Sequence, residues 1–90
     1  MAISSKFRAA LRAQAHHLSA TVHAGRQGVI PALVRSLDDA LRTRSLVKVQ
    51  FGPEVGLSAK RSAPELAGRV GAEVVQVIGH RATFFREIPE

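Results

Sequence analysis

The chain has 90 residues, with 13 Lys and Arg against 7 Asp and Glu and no cysteine. The lack of cysteine excludes disulfide bonds and thiolate metal sites, and no apolar run approaches the ~20 residues that span a bilayer. A net charge of +6 favours a polyanionic partner, although charge alone does not separate RNA, DNA and an anionic membrane. We expect one domain over residues 1–90, with its core over about 4–87. We also expect a monomer, and a cytoplasmic location because the N-terminus lacks the apolar region of a secretory signal.

The first predicted element is a helix of about a dozen residues that begins at Ser4 or Ser5, because both hydroxyls are suitable N-caps. Its apolar stripe steps by four, four and three residues along Phe7, Leu11, Ala15 and Leu18. A second stripe on the adjoining face consists of Arg8, Arg12 and His16. No acidic side chain lies in this helix, so the basic stripe faces either solvent or a phosphate backbone, and both interpretations stay open.

A glycine-rich tetrapeptide, Gly25-Arg26-Gln27-Gly28, follows a short predicted strand from Thr21 to Ala24. A helix is predicted from about Ile30, with Pro31 in its first turn, where a missing N–H costs nothing. The glycines let a ligand approach the main chain, and the helix N-terminus directs unpaired N–H groups and positive dipole charge toward the loop. With Arg26, these features predict a small anion site, for which a nucleic-acid phosphate is the favoured ligand. The alternative interpretation is a tight turn with a solvated Arg26.

The next predicted strand is Leu46–Phe51, in which apolar and polar residues alternate. Strand, helix and strand in this order predict a parallel pair with a right-handed crossover. A third helix is predicted from about Ser58 to Val70, with Gly71 in the left-handed conformation at its end. Pro64 interrupts this pattern.

Two geometries of the third helix accommodate Pro64. Either the helix is kinked there, or its regular part begins late, with Ser62 as N-cap and Glu65 closing a capping box. We therefore expect a short or kinked helix. A terminal hairpin follows, from Glu73–Ile78 through a Gly79-His80-Arg81 turn to Ala82–Arg86. The order α-β-α-β-α-β-β predicts a single compact α/β domain, a mixed four-stranded sheet packed by helices.

Several segments occur in the order and spacing of the CRM domain, the family named for chloroplast RNA splicing and ribosome maturation. They are Ala15-His16-His17-Leu18, Val22, Gly25-Arg26-Gln27-Gly28, Leu46-Val47-Lys48-Val49 and Val75-Gln76-Val77-Ile78-Gly79. The chain resembles the stand-alone bacterial YhbY-like form of this family over about Ser4 to Glu87. The resemblance implies an RNA-binding module whose fold is similar to the C-terminal domain of translation initiation factor three. It also implies association with precursors of the large ribosomal subunit.

The same resemblance places the family's GxxG loop on Gly25, Arg26, Gln27 and Gly28, and this loop is similar to the one with which KH domains clamp single-stranded nucleotides. We expect the glycines to permit backbone approach, Arg26 to contact a phosphate and Gln27 to bond sugar or phosphate. The second-tier candidates that extend the basic surface are Arg8, Arg12, Lys48 and Arg86, each with an ordinary solvated charge as the alternative interpretation. For these last two, an ordinary solvated charge is the favoured interpretation.

Catalysis, metal binding and cofactor binding have little support in the sequence. Asp38 and Asp39 are consecutive on a helix and diverge, which makes a poor acid and base pair. The histidines have no metal-binding spacing; they are His16, His17, His23 and His80. Phe84 and Phe85 alternate on a strand, so at least one fills the core, and we expect contact with the RNA backbone to dominate. Two other hypotheses remain, a protein-interaction module that docks an acidic partner on its basic face and a nucleic-acid hydrolase or modifying enzyme without a familiar motif.

Overall fold

Three helices and four strands follow one another in the predicted order in a computed structural model that describes residues 3–24, 29–52 and 59–88. The order α-β-α-β-α-β-β is confirmed. The elements are α1 (Ser5–Ala15), β1 (Val22–Ala24), α2 (Pro31–Thr43), β2 (Leu46–Phe51), α3 (Ala59–Val70), β3 (Glu73–Ile78) and β4 (Arg81–Phe85).

The starts of the first two helices agree with the capping signals in the sequence. Ser4 is the N-cap of α1, and its hydroxyl accepts a hydrogen bond from the Phe7 N–H at 3.1 Å. In α2, Ile30 is the N-cap and Pro31 is the first helical residue, where the missing N–H of proline would have no intrahelical partner.

The third helix corrects a prediction, because α3 runs unbroken from Ala59 to Val70 with Pro64 inside it. A late start at Ser62 is therefore wrong: Ser62 lies within the helix and is buried, and its hydroxyl has no hydrogen-bond partner among the described residues. An interior proline costs about 3 kcal/mol. Packing offsets that cost, since burial stabilises by roughly 25 cal/mol per Å² of apolar surface. The buried apolar residues of α3 are Ala59, Ala63, Leu66, Ala67 and Val70.

Two glycines have positive φ angles, one at the end of α3 and one in the turn of the terminal hairpin. Gly71, at φ 66°, ends α3 in the predicted left-handed conformation. Gly79, at φ 58°, begins a two-residue turn with His80. The predicted boundaries of the last strand were wrong by one residue at each end, because Arg81 pairs with Ile78 and belongs to β4. Arg86 lies just beyond it.

The four strands form one mixed sheet in the order β1-β2-β4-β3. The predicted parallel pair is confirmed, since β1 pairs with β2 in parallel and α2 connects them. β4 pairs antiparallel with both β2 and β3. The chain therefore enters the predicted loop from the end of β1 and continues into the N-terminus of α2.

The two faces of the sheet are covered unequally. The face that we call the two-helix face packs against α2 and α3 and contains the main core, with Leu37, Val49 and Phe84 fully buried. The opposite face, called the α1 face, packs against α1 alone, which contacts β2 and β3. There the ring of Phe7 meets that of Phe85 edge to face, with 5.2 Å between centroids. One helix cannot cover four strands, so the described residues leave part of the α1 face open.

Candidate nucleic-acid interface

The predicted anion loop, Gly25 to Gly28, lies outside the described residues, so its role stays a prediction. The elements on either side of it are described. β1 ends at Ala24, and α2 begins at Pro31 after the N-cap Ile30, whose side chain makes no capping hydrogen bond. The first N–H groups of this 13-residue helix are therefore open to another acceptor, and its dipole favours an anion there.

Lys48 supports the structure of α1, contrary to the expectation of a solvated charge. Its Nζ donates to the carbonyl oxygens of Ala15 at 2.8 Å and Leu18 at 3.0 Å. These carbonyls stand at and just beyond the end of α1, where helices lack intrahelical donors. The ammonium group thus donates to two part-buried carbonyls and complements the negative end of the helix dipole.

Arg86 is also bonded within the fold, so a solvated charge was the wrong interpretation here too. Its Nη1 donates to Asp38 Oδ1 at 2.7 Å and to the Val70 carbonyl at 2.9 Å, and its Nη2 donates to the Asp38 carbonyl at 3.1 Å. One guanidinium therefore connects the end of the sheet with α2 and α3. Its hydrogen bond, followed by that from Arg42, holds the pKa of Asp38 below the usual carboxyl value of 3.8.

Arg8 and Arg12, the two predicted contacts on α1, have different surroundings. The Arg8 guanidinium donates to the carbonyl of Val74 on the edge strand β3 and is half-buried. Arg12 is exposed, and its side chain makes no hydrogen bond or ion pair with the described part of the chain. Contact of either residue with RNA stays a prediction, and Arg12 is the one whose guanidinium is available.

The uncovered part of the α1 face carries a line of side chains that crosses all four strands. The ladder pairs His23 with Gln50, Gln50 with Arg81, and Arg81 with Ile78. Directly paired residues point to the same face of a sheet, and their neighbours Val22, Val49 and Ala82 are buried on the two-helix face. We call His23, Gln50, Arg81 and Ile78 the open row.

The open row borders a shallow groove beside the end of α1. One part of the groove is lined by His16, Lys48, Gln76, Ile78, Arg81 and Thr83. The adjoining part is lined by Leu18, Ser19, Ala20, Lys48, Gln50 and Arg81. Lys48 and Arg81 belong to both parts, so they stand at the centre of the groove. Arg81 is exposed and makes no hydrogen bond or ion pair within the described residues.

Sequence reasoning missed Arg81 because it placed this residue in a turn. The alternation of Arg81 and Thr83 with the buried Ala82 and Phe84 is the signal that could have identified a strand with one polar face. Arg81 lies beside Gln50 because β4 pairs with β2. Local patterns in the sequence do not specify this pairing.

The described residues do not meet the requirements of a three-ligand metal site or of a membrane-spanning helix. Within residues 3–24, 29–52 and 59–88, no three His, Cys, Asp or Glu side chains are grouped so that they could hold a metal ion. Among the helices of these same ranges, none has the length and apolar character to cross a membrane.

Comparison with known proteins gives a family match over nearly the whole chain. The family model described as the CRS1 / YhbY (CRM) domain matches residues 3–86. The solution structure of the hypothetical protein SAV1595 from Staphylococcus aureus is similar, with a TM-score of 0.76 and 28% sequence identity. This similarity covers 99% of the present chain and 93% of the other, so the two share one fold.

Two curated relatives have names that refer to RNA. "Probable RNA-binding protein MJ0652" from Methanocaldococcus jannaschii is 36% identical over 86 residues, which cover 93% of the present chain and 63% of the relative. The present chain thus spans less than two thirds of that protein. "Probable RNA-binding protein YqeI" from Bacillus subtilis is 27% identical over 88 residues, which cover 98% and 92% of the two chains.

Proposed function

The chain belongs to the CRS1 / YhbY (CRM) domain family, and from this premise we propose that it binds RNA, specifically ribosomal RNA of large-subunit precursors during ribosome maturation. The observation that carries the proposal is the family match over residues 3–86. Two relatives are named as RNA-binding proteins, which supports RNA as the ligand. The ribosomal target rests on the resemblance to the stand-alone bacterial form.

The distribution of charge supports a polyanionic ligand. Lys6, Arg8 and Arg12 lie in α1, which has no acidic residue. By contrast, the acidic residues of α2 and α3 each stand within 4 Å of an arginine; these residues are Asp38, Asp39 and Glu65. The helix α1 therefore contributes three positive charges with no acidic residue in the same helix, whereas α2 and α3 together contain five basic residues against three acidic ones.

The loop Gly25 to Gly28 is proposed as the primary contact. Arg26 supplies a charge-assisted bond to a phosphate, and the glycines allow the main chain to approach it. The start of α2 supports an anion here, because the side chain of its N-cap Ile30 makes no capping hydrogen bond with the N–H groups of the first turn. The proposal further holds that one copy of the chain acts in the cytoplasm and leaves the RNA chemically unchanged.

Ultraviolet crosslinking in cells, followed by sequencing of the bound RNA, tests the proposal. The variant Gly28→Asp introduces a side chain and a negative charge at the loop. Gly68→Asp makes the same chemical change on the exposed side of α3, where an added Cβ meets nothing within 4 Å. We expect large-subunit ribosomal RNA with the wild type and Gly68→Asp, and its loss with Gly28→Asp.

Other results would contradict separate parts of the proposal. Equal recovery of RNA with both variants would remove the loop from the site. Recovery of a different RNA class would remove the ribosomal target and leave RNA binding intact. No RNA with the wild type would favour a protein-interaction module, and cleavage of RNA by the purified protein would favour an enzyme.

A further inference from the structure

We propose that the open row and the groove beside it bind single-stranded RNA as an extension of the loop site. Arg81 is the central phosphate contact in this proposal. The inference deepens the proposed function and rests on it, because it assigns a path to the RNA beyond the loop. It uses only residues on the α1 face that the structure describes.

The open row begins next to the predicted loop in the sequence. His23 begins the open row on β1, and Ala24 alone separates it from Gly25. The row then continues through Gln50 and Arg81 to Ile78, across three inter-strand steps of about 4.8 Å each. A strand of RNA held at the loop therefore meets the row directly and can follow it for roughly 14 Å.

The open row carries the positive charge of Arg81. Arg81 and His23 are exposed, and neither side chain has a hydrogen-bond or ion-pair partner among the described residues. Glu73 is the one acidic residue in the described strands, and it pairs with Phe85 at the opposite end of β4. The positive charge of Arg81 thus has no acidic partner among the described residues, which is complementary to a phosphate backbone.

The side chains of the open row and the groove favour single-stranded RNA over a duplex. Ile78 is 57% exposed, next to Arg81 in the ladder, and Gln50 and Gln76 line the groove. An apolar side chain and amide groups suit the face and the edges of unpaired bases, whereas A-form duplexes present mainly phosphates and 2′-hydroxyls. The row contains no phenylalanine, tyrosine or tryptophan, and His23 supplies its one aromatic ring, so base stacking adds less than in aromatic platforms.

Fluorescence anisotropy with labelled oligouridines of about four and ten nucleotides tests this path. A GxxG loop of the KH type clamps about four nucleotides, so the tetramer fills the loop alone and the decamer also reaches the row. The test variant is Arg81→Ala. Its matched control is Arg44→Ala, also an exposed arginine without a partner in the described residues, at the far end of α2 from the loop.

We expect Arg81→Ala to weaken decamer binding by roughly 3- to 10-fold, as for the loss of one charge-assisted contact. Tetramer binding and the Arg44→Ala variant should match the wild type. The slope of log K against log[salt] for the decamer should flatten by about 0.7, the value for one phosphate on a single strand. As a gain of function, Gln50→Lys should tighten decamer binding and steepen that slope.

The experiment distinguishes failure of the open row as an RNA site from failure of the proposed RNA binding itself. If the wild type binds both oligomers and Gly28→Asp abolishes binding, but Arg81→Ala equals Arg44→Ala, the row is not an RNA site and the loop proposal survives. Equal weakening of tetramer and decamer by Arg81→Ala would place Arg81 at the loop and overturn the extended path. If Arg81→Ala instead changes a dimer to a monomer in light scattering, a second copy occupies the row. If the wild type binds neither oligomer, both proposals fall.

Discussion

Arg86 and Arg81 stand at the two ends of β4 and have opposite surroundings. Arg86 donates three hydrogen bonds, which connect the sheet to Asp38 in α2 and Val70 in α3. Arg81 faces the uncovered part of the α1 face without such a partner in the described chain. Both residues are arginines and carry the same charge. The helices that pack near one end of β4 and not near the other therefore decide which arginine stabilises the fold and which is available to a ligand.

The largest effect on stability that we predict follows Arg86→Ala. Two main-chain carbonyls, of Val70 and Asp38, lose a charged donor at a site where the arginine side chain is 22% exposed. The free energy of unfolding should fall by about 2 to 3 kcal/mol, as measured by urea denaturation. Arg81→Ala should change it by less than about 0.5 kcal/mol. Equal losses in the two variants would contradict the comparison.

A smaller loss of stability is expected for Lys48→Met, which keeps an apolar stem and removes the ammonium group. The Leu18 carbonyl then loses the ammonium donor, and the Ala15 carbonyl keeps only the Leu18 N–H as a donor among the described residues. The free energy of unfolding should decrease by about 1 kcal/mol. Hydrogen exchange should increase at the C-terminal turn of α1 relative to α3. Unchanged exchange there would show that Lys48 does not cap the helix.

Acidification should weaken the Arg86 end of β4 selectively. The pKa of Asp38 is lowered by the hydrogen bond from Arg86 and then by that from Arg42. The ionised carboxylate therefore stabilises the fold fully above about pH 3.8, the pKa of an ordinary carboxyl. This contribution is lost as the pH falls through the lower pKa that Asp38 has in the folded state. Asp38→Asn should lower the melting temperature at pH 7 and reduce its acid dependence below pH 4. The same acid dependence in both proteins would contradict this role.

The smallest stability effect and a clear binding effect are expected at Arg12. Because Arg12 is exposed without a partner in the described chain, Arg12→Ala should leave the free energy of unfolding within about 0.5 kcal/mol of the wild type. If the guanidinium contacts one phosphate, the slope of log K against log[salt] flattens by about 0.7 on single-stranded RNA. Arg8→Ala should instead reduce stability, since Arg8 donates to Val74. An unchanged slope for Arg12→Ala would remove Arg12 from the interface.

Local signals in the sequence were sufficient for most of the fold. The Ser4 cap, the Pro31 start and the alternation of β2 each depend on nearby residues, and the structure confirms them. The late start of α3 at Ser62 was wrong because burial of one side of the helix outweighs the cost of a proline inside it, and a kink at Pro64 stays a prediction.

The surroundings of the basic residues could not be predicted in the same way. Lys48 bonds to residues 30 and 33 positions away, and Arg86 to residues 16 and 48 positions away. Such contacts depend on strand order and on which helix covers which face, and periodicity does not specify either. The GxxG loop is a local motif that the sequence did reveal, and its ligand stays a prediction.

The most direct test of the account is an NMR titration of the ¹⁵N-labelled protein with a single-stranded RNA decamer. We predict that amide shifts change at residues 25–28 and along the open row at His23, Gln50 and Arg81. Amides near Arg42 and Arg69, on the outer side of α2 and α3, should stay unchanged. Changes confined to α2 and α3, with the loop and the open row unaffected, would contradict the account.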